Sequence, residues 1–174
     1  MIKLLIGGSP CTHWSIAQKN NRETEPEGLG WELFKNYLIA KDKFQPDFFL
    51  YENNKSAAQP IKDQISHELG VDLMYINSAL VSAQNRQRFY AFNWTVDQPE
   101  DRGILLRDVL ESPTNAFGIG WCGRKGDDGK WHKIYESLGE EKANCLTTAN
   151  TDSMVAEPLG TLEHGGYELD AASV

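Results

Sequence analysis

The first 76 residues alternate short apolar runs with longer amphipathic segments, and this alternation constrains the fold more than any other feature. The predicted elements, in chain order, are a strand at 3–6, a helix at 30–44, a strand at 47–51, a helix at 58–69 and a strand at 73–76. Pro46 lies just beyond the first helical segment and Gly70 directly follows the second, as helix-ending residues do. This order predicts βαβ units and a parallel sheet.

The remainder of the chain differs from the first 76 residues in composition and pattern. A fourth, aromatic-rich strand is predicted from Arg88 to Trp94, and a Gln-Pro-Glu-Asp linker begins at Gln98. Glycine, tryptophan and charged residues alternate over residues 118–135, which predicts a twisted hairpin. The predicted organisation is a core at 1–98, a small β-rich segment at 99–159 and a flexible acidic tail at 160–174.

The charge of the chain is concentrated in its second half. The formal net charge of -8 counts against a free-standing DNA binder, which normally presents a basic stripe. Residues 1–98, however, hold 10 Lys and Arg against 11 Asp and Glu, whereas residues 99–174 hold 7 against 14. The first half can therefore present a local cationic face to a nucleic acid.

The cysteines and histidines argue against a disulfide framework and a metal site. The three cysteines, Cys11, Cys122 and Cys145, lie far apart, without the paired spacing of zinc ligands. The four histidines are equally scattered. No apolar run approaches the roughly 18 residues of a membrane span. We expect a cytoplasmic protein without a metal or a membrane partner.

A cysteine and a glutamate follow the first two predicted strands. Gly7 and Gly8 let the chain turn sharply, and Pro10 stiffens the loop just before Cys11, so the thiol is exposed and held in one direction. Glu52 ends the second strand, about one or two strand spacings of ~4.8 Å away. A cysteine beside a carboxyl that can be protonated suits covalent catalysis with proton donation. The alternatives are a core cysteine and a solvated glutamate.

Two arginines precede the fourth strand, in the run Gln84–Arg88. Arg86 and Arg88 are two residues apart, so on an extended chain their side chains should face the same way. Two parallel guanidinium groups suit phosphate oxygens or a base carbonyl. Ordinary surface charges on a solvated loop are the alternative reading of these residues.

Together, these motifs resemble the cytosine carbon-5 DNA methyltransferase family in its bacterial and phage form. The run Gly7–Cys11 resembles the family's Pro-Cys nucleophile loop, and Gln84–Arg88 matches its Gln-x-Arg-x-Arg element. Residues 28–34 and 46–53 resemble the intervening helix and the strand that ends in Glu-Asn-Val. The resemblance implies a partial Rossmann-like methyltransferase sheet, βαβαβ plus a final aromatic strand, with a small C-terminal β-rich appendage.

The resemblance also implies a mechanism on double-stranded DNA. The target cytosine is flipped out of the duplex, and Cys11 adds to ring carbon 6 while Glu52 protonates N3. Carbon 5 then takes a methyl group from S-adenosylmethionine, and Arg88 holds the base carbonyl. The other residues that the resemblance places at the substrate or DNA are Ser9, Pro10, Asn53, Gln84 and Arg86. Of these, Asn53 shapes the pocket, Arg86 binds a phosphate, and Gln84 enters the space that the base leaves.

Some family features are not in this sequence. The upstream cofactor half, with its Phe-x-Gly-x-Gly loop and acidic ribose partner, is absent, as is the late Arg-Leu-x-x-x-Glu block. Residues 142–148 resemble only loosely a segment near the target-recognition region. We therefore expect an incomplete S-adenosylmethionine site, a missing cofactor-half subunit or a homo-oligomer as partner, and an apolar surface where the missing strands would pair.

Two other functions fit the same residues. The first is a non-catalytic DNA-binding or regulatory relative of the family, although Cys11, Glu52, Arg86 and Arg88 are all intact. The second is an unrelated thiol hydrolase that uses Cys11 with His13, but two residues so close in one loop seldom align for proton transfer. An RNA substrate in place of DNA is also compatible with the sequence.

Overall fold

The computed structural model describes residues 1–18, 20–109, 117–125, 129–137, 142–144, 154–161 and 167–173. The chain divides into two compact units, Met1–Ile76 with Gln87–Gln98, and Asn77–Arg86 with Pro99–Val174. The short segment 77–86 belongs with the second unit, and the domain boundaries expected at residues 98 and 159 stay predictions. In the described part of the chain, neither helix has the length and apolar character to cross a lipid bilayer.

The first unit contains the predicted alternation of strands and helices. Its elements are β1 (Leu4–Gly7), α1 (Gly28–Phe44), β2 (Phe48–Asn54), α2 (Gln59–Leu69), β3 (Leu73–Asn77) and β5 (Gln87–Phe92). The intervening two-residue strand β4 (Gln84–Asn85) belongs to the second unit. The four strands of the first unit form one sheet in the order β1-β2-β5-β3. The prediction of a mixed α/β, partial Rossmann-like sheet is confirmed.

The pairing of β2 explains why this strand is longer than predicted. β1 runs parallel to β2, and Gly7 at the end of β1 is in register with Tyr51. β5 runs antiparallel to β2, and its pairing continues through Glu52 to Asn54. These polar residues end the apolar run and so mark the predicted strand end, but hydrogen bonds from β5 hold them in the ladder.

Local signals position the two helices. Gln45 ends α1 in a left-handed conformation with φ of 47°, and Pro46 follows; Gly70, with φ of 68°, ends α2. Helix α1 begins two residues before the predicted start. The carboxylate of Glu23 accepts a hydrogen bond from the Gly30 amide at 3.0 Å and so satisfies a donor of the first helical turn.

The core lies on one face of the sheet, between the strands and both helices. Its largest fully buried members are aromatic and aliphatic side chains, namely Trp14, Phe34, Tyr51, Ile61, Ile65 and Phe89. The other face carries exposed apolar side chains, of which Leu4 and Ile6 on β1 are 51% and 65% exposed. β1 is also an edge strand among the described strands. The expected apolar surface for missing strands stays a prediction.

The second unit is rich in strands. Its larger sheet is built from β6 (Phe117–Lys125), β7 (Trp131–Ser137), β9 (Met154–Thr161) and β10 (Tyr167–Ser173), in the order β10-β9-β6-β7, while β8 (Ala143–Asn144) pairs with β4. The antiparallel pair β6 and β7 confirms the predicted hairpin. The side chains of Trp121 and Trp131 lie outside the described residues.

The structure places a strand in the tail that the sequence predicts to be flexible. Residues 167–173 form β10, which pairs antiparallel with β9 along its whole length. The tail sequence Tyr-Glu-Leu-Asp-Ala alternates apolar and acidic residues with the period of a strand. The small and acidic residues of the tail favour a flexible segment, but the alternation of apolar and acidic residues is the stronger structural signal.

Candidate functional site

The loop that carries Cys11 leaves the sheet at the end of β1. Gly7 is the last residue of that strand, and a short 3₁₀ turn begins at Cys11 itself. The amides of Trp14 and Ser15 donate to the Cys11 carbonyl oxygen at 3.1 and 2.9 Å, so the main chain holds the turn. The thiol is free and half-buried, and it lies outside the core.

Glu52 lies directly beside this loop, as predicted. A methyl group built on Gly8 would lie 2.7 Å from the Glu52 carbonyl oxygen and 3.4 Å from its carboxylate Oε2. Only a glycine permits so close an approach of the two segments. The adjacency of β1 and β2 therefore brings the Cys11 loop and the Glu52 carboxylate to one rim of the sheet.

Replacing Gly8 by alanine should destabilise the first unit by about 1–3 kcal/mol, because the added methyl group overlaps a main-chain oxygen that cannot rotate away. Denaturant unfolding of the purified variant measures this change. Stability equal to that of the unchanged protein would contradict the close approach of the Cys11 loop to Glu52.

An arginine holds the carboxylate from the other side. Arg88 Nε lies 2.9 Å from Glu52 Oε1, and the Arg88 and Glu52 side chains are 13% and 36% exposed. Arg88 Nη1 also donates to the Gln87 carbonyl oxygen at 2.8 Å. Glu52 on β2 and Arg88 on β5 are diagonal neighbours in the antiparallel pair, so their side chains lie on the same face of the sheet. Glu52 is thus oriented by a charged partner that is itself nearly buried.

A buried polar cluster lies beneath the Cys11 loop. Asn53 is 1% exposed, and its amide nitrogen lies 3.0 Å from the Ser9 carbonyl oxygen, 3.1 Å from Ser9 Oγ and 3.0 Å from the Tyr51 hydroxyl. Burial raises the pKa of Tyr51, so the hydroxyl keeps its proton at neutral pH. The predicted residues Ser9 and Asn53 thus make contacts within the protein, and Tyr51 is a neighbour that the sequence reasoning missed.

Further anchors hold the chain after Cys11. Trp14 is fully buried, and its indole nitrogen donates to Glu23 at 3.1 Å. His13 Nδ1 lies 3.5 Å from Glu23, and no hydrogen bond joins His13 to Cys11 among the described residues. This arrangement gives the hydrolase alternative no support, since His13 lies against a structural carboxylate. Arg22 Nε also donates a hydrogen bond to the Trp14 carbonyl oxygen at 3.2 Å.

The Gln84–Arg88 run does not form one continuous strand. The chain leaves strand geometry at Arg86, whose amide donates to Asn77 Oδ1 at 3.0 Å and whose carbonyl oxygen accepts from Ser78 at 3.1 Å. Arg86 thus lies between β4 and β5 rather than within either strand, and the expectation that Arg86 and Arg88 face the same way stays a prediction. Arg86 is exposed, and Gln84 lies in β4.

Lys142 secures the loop that contains Gln84. Its ammonium group donates to the carbonyl oxygens of Ala79 at 2.8 Å and Ser82 at 3.0 Å, and also to that of Ile104. The adjacent strand β8 pairs with β4. Three carbonyl oxygens around one ammonium group satisfy all of its donors. The loose sequence resemblance at residues 142–148 thus contains a lysine with a structural role in the second unit.

The described residues contain no group of three or more histidine, cysteine, aspartate or glutamate side chains that could hold a metal ion. They also lack the glycine-rich turn and acidic partner that the resemblance implies for the cofactor. The glycine-rich turn that does follow a strand, Gly7–Cys11, lies against Glu52 and Tyr51. The expectation of an incomplete S-adenosylmethionine site stays a prediction.

The sheet is that of a partial Rossmann-like methyltransferase fold. The model of the C-5 cytosine-specific DNA methylase family matches residues 1–118, and the chain belongs to this family. The resemblance inferred from the three sequence motifs is thereby confirmed.

The chain is similar to several bacterial and phage proteins. It is 24% identical to the orphan methyltransferase M.SPRI of Bacillus phage SPR, over 96% of this chain and 45% of that protein. It is 30% identical to the type II methyltransferase M.HgiBI of Herpetosiphon aurantiacus, over 67% of this chain and 28% of that protein. A shorter match, to M.NmeDI of Neisseria meningitidis serogroup C, is 40% identical over 57 residues. The chain thus spans less than half the length of these relatives.

Proposed function

We propose that this chain carries the base-activating part of a DNA (cytosine-5)-methyltransferase. The observation that carries the proposal is the approach of the loop that carries Cys11 to the ion pair of Glu52 and Arg88. The loop approaches Glu52 so closely that Gly8 has no room for a side chain, and Arg88 holds the Glu52 carboxylate at 2.9 Å. A thiol in a loop beside a paired carboxyl and guanidinium group suits covalent addition to a flipped pyrimidine.

In this proposal Cys11 adds as a thiolate to carbon 6 of the cytosine and forms a carbon–sulfur bond. Glu52 donates a proton to N3, so that the electrons of the ring collect at carbon 5 without leaving a full negative charge. Once carbon 5 has received the methyl group, loss of the carbon-5 proton, departure of Cys11 and return of the N3 proton to Glu52 restore the aromatic ring. The half-buried position of Cys11 in a loop anchored by the main chain suits this attack.

Arg88 holds Glu52 in place and presents its remaining donors to the carbonyl oxygen of the base. Pro10 is exposed next to Cys11 and would contact the substrate, together with the outer side of Ser9. Gln84 and Arg86 belong to the second unit, and their proposed roles at the emptied position in the duplex and at a phosphate follow from the resemblance.

S-adenosylmethionine supplies the methyl group in the family to which the chain belongs, and we propose it as the donor here. We assign no residue of this chain to that donor. The exposed apolar side chains of Leu4 and Ile6 on edge strand β1 support a further part of the fold beside them, contributed by a cofactor-bearing subunit or by a second copy of this chain. DNA in the cytoplasm of a bacterium or of a phage-infected cell is the proposed substrate.

The second candidate function is a DNA-binding or regulatory relative that transfers no methyl group. The incomplete donor site favours it, because the base-activating residues alone cannot complete a turnover. The ion pair of Glu52 and Arg88 favours catalysis, since a module that only binds DNA has no need for a carboxylate beside the nucleophile.

Calorimetric titration of the purified chain with S-adenosylmethionine tests these alternatives without knowledge of the target sequence. Micromolar binding would show that these 174 residues build a donor site and would support an autonomous enzyme. Absence of binding would remove the autonomous enzyme from consideration and leave a subunit or a regulator. Exchange of the carbon-5 proton of cytosine in DNA with solvent then separates these two, because it needs reversible addition of Cys11 to carbon 6 but no methyl donor.

A further inference from the structure

The hydroxyl group of Tyr51 lies beneath the Cys11 loop and bonds to it. It lies 2.6 Å from Ser9 Oγ and accepts a hydrogen bond from Asn53 Nδ2 at 3.0 Å. Asn53 also donates to the Ser9 carbonyl oxygen at 3.0 Å. The Asn54 amide donates to Asn53 Oδ1 at 2.7 Å, which fixes the orientation of the Asn53 amide and directs its nitrogen toward Ser9.

This cluster is buried at a cost that a purely hydrophobic core would avoid. Tyr51 is fully buried and Asn53 is 1% exposed, and polar groups at such depth destabilise the fold unless they are hydrogen bonded. All the bonds that satisfy the Tyr51 hydroxyl lead to Ser9 or to Asn53, which itself holds Ser9. The network therefore fastens one residue of the loop by both its main chain and its side chain.

The fastened residue controls the direction of the thiol. Ser9 is followed by Pro10, whose ring holds φ at -52°, and then by Cys11. With Ser9 fixed and φ of Pro10 restrained, few torsions remain by which the Cys11 side chain can move away from the rim. Nucleophilic addition depends steeply on such orientation, because small displacements of the attacking atom slow the reaction.

We propose that the Tyr51 hydroxyl is a positioning residue for the Cys11 nucleophile, acting through Ser9. The inference rests on the proposed function, and it adds a residue outside the groups that contact the base. In this role the Ser9 side chain faces the protein interior and connects the loop to the Tyr51 hydroxyl.

Tyr37 offers a matched control in the same core. Its ring packs 5.0 Å from that of Tyr51, and it is 8% exposed. Unlike the Tyr51 hydroxyl, the Tyr37 hydroxyl is buried without a hydrogen-bond partner among the described residues. Tyr37→Phe and Tyr51→Phe therefore delete the same atom from neighbouring rings, but only the second removes a bond to the Cys11 loop.

The test is amide hydrogen exchange of the full chain, followed by mass spectrometry of peptides that cover residues 8–12. Tyr51→Phe should raise exchange of these amides about tenfold, as expected for loss of a buried hydrogen bond, whereas Tyr37→Phe should leave them unchanged. Ser9→Ala breaks the same bond from the loop side without altering the core, and it serves if Tyr51→Phe does not fold. Unchanged exchange in the folded Tyr51 or Ser9 variant would overturn the proposal.

A kinetic measurement adds a readout that a general loss of stability does not produce. With S-adenosylmethionine and DNA containing 5-fluorocytosine, Tyr51→Phe should slow adduct formation at saturating DNA about tenfold and leave half-saturation by DNA unchanged. The Tyr51→Phe and Ser9→Ala effects should be less than additive, because both remove the bond between Tyr51 and Ser9. Additive effects, or a change confined to DNA half-saturation, would overturn the positioning role. If the unchanged protein binds S-adenosylmethionine but forms no adduct, the proposed function fails, while the exchange result still decides whether Tyr51 holds the loop.

Discussion

Replacing Cys11 by serine should abolish the covalent complex with DNA that carries 5-fluorocytosine. A serine hydroxyl is a far weaker nucleophile than a thiolate near neutral pH, so the bond to carbon 6 does not form. In the unchanged protein, fluorine at carbon 5 cannot leave as a proton does, so the adduct persists. Gel electrophoresis under denaturing conditions, in the presence of S-adenosylmethionine, resolves the adduct from free protein.

The structure indicates that this substitution leaves the loop folded. The Cys11 carbonyl oxygen, rather than its sulfur, accepts the bonds from Trp14 and Ser15 that hold the turn. Cys122→Ser and Cys145→Ser are matched controls, and both should retain the adduct. An adduct of undiminished yield in Cys11→Ser would assign the nucleophile to another residue and contradict the proposed mechanism.

Much of the first unit could be predicted from the sequence because its elements are bounded by strong local signals. Pro46 and Gly70 end their helices as expected, and the apolar runs form β1, β2 and β3 within one or a few residues of the predicted positions. The meeting of the Cys11 loop with Glu52 also followed from the sequence. Polar residues after consecutive parallel strands reach the same edge of the sheet when the strands are neighbours, as β1 and β2 are.

The parts that could not be predicted depend on contacts between residues distant in sequence. The extension of β2 through Asn54 requires the antiparallel partner β5, and no local sequence pattern predicts that pairing. The bond of Tyr51 to Ser9 joins residues 42 positions apart, and an apolar strand position holding tyrosine reads simply as core. Lys142 is similar: its three carbonyl partners lie 38 to 63 positions away, so its sequence neighbours give no sign of its role.

Replacing Arg88 by alanine should slow methyl transfer or adduct formation by roughly 100-fold or more, in the range found when a charge-stabilising donor is removed from an active site. The variant loses the cation that orients Glu52 at 2.9 Å and the proposed donor to the base carbonyl. Non-specific retention of DNA should change little, because that affinity is a sum over many phosphate contacts. Single-turnover kinetics and filter retention of DNA measure the two quantities separately.

Two further variants decide what Arg88 contributes. Arg88→Lys keeps the positive charge but loses the planar fork and its Nε donor, so it should restore little of the rate. Arg86→Ala should do the opposite, weakening DNA retention and lowering the salt dependence of binding by about one ion, as removal of a phosphate contact does. If Arg88→Ala instead lowers the rate and the DNA retention equally, Arg88 is a phosphate contact and does not serve the base. Arg88 is nearly buried against Glu52, whereas Arg86 is exposed. We therefore expect Arg88→Ala to lower mainly the reaction rate and Arg86→Ala to lower mainly the retention of DNA.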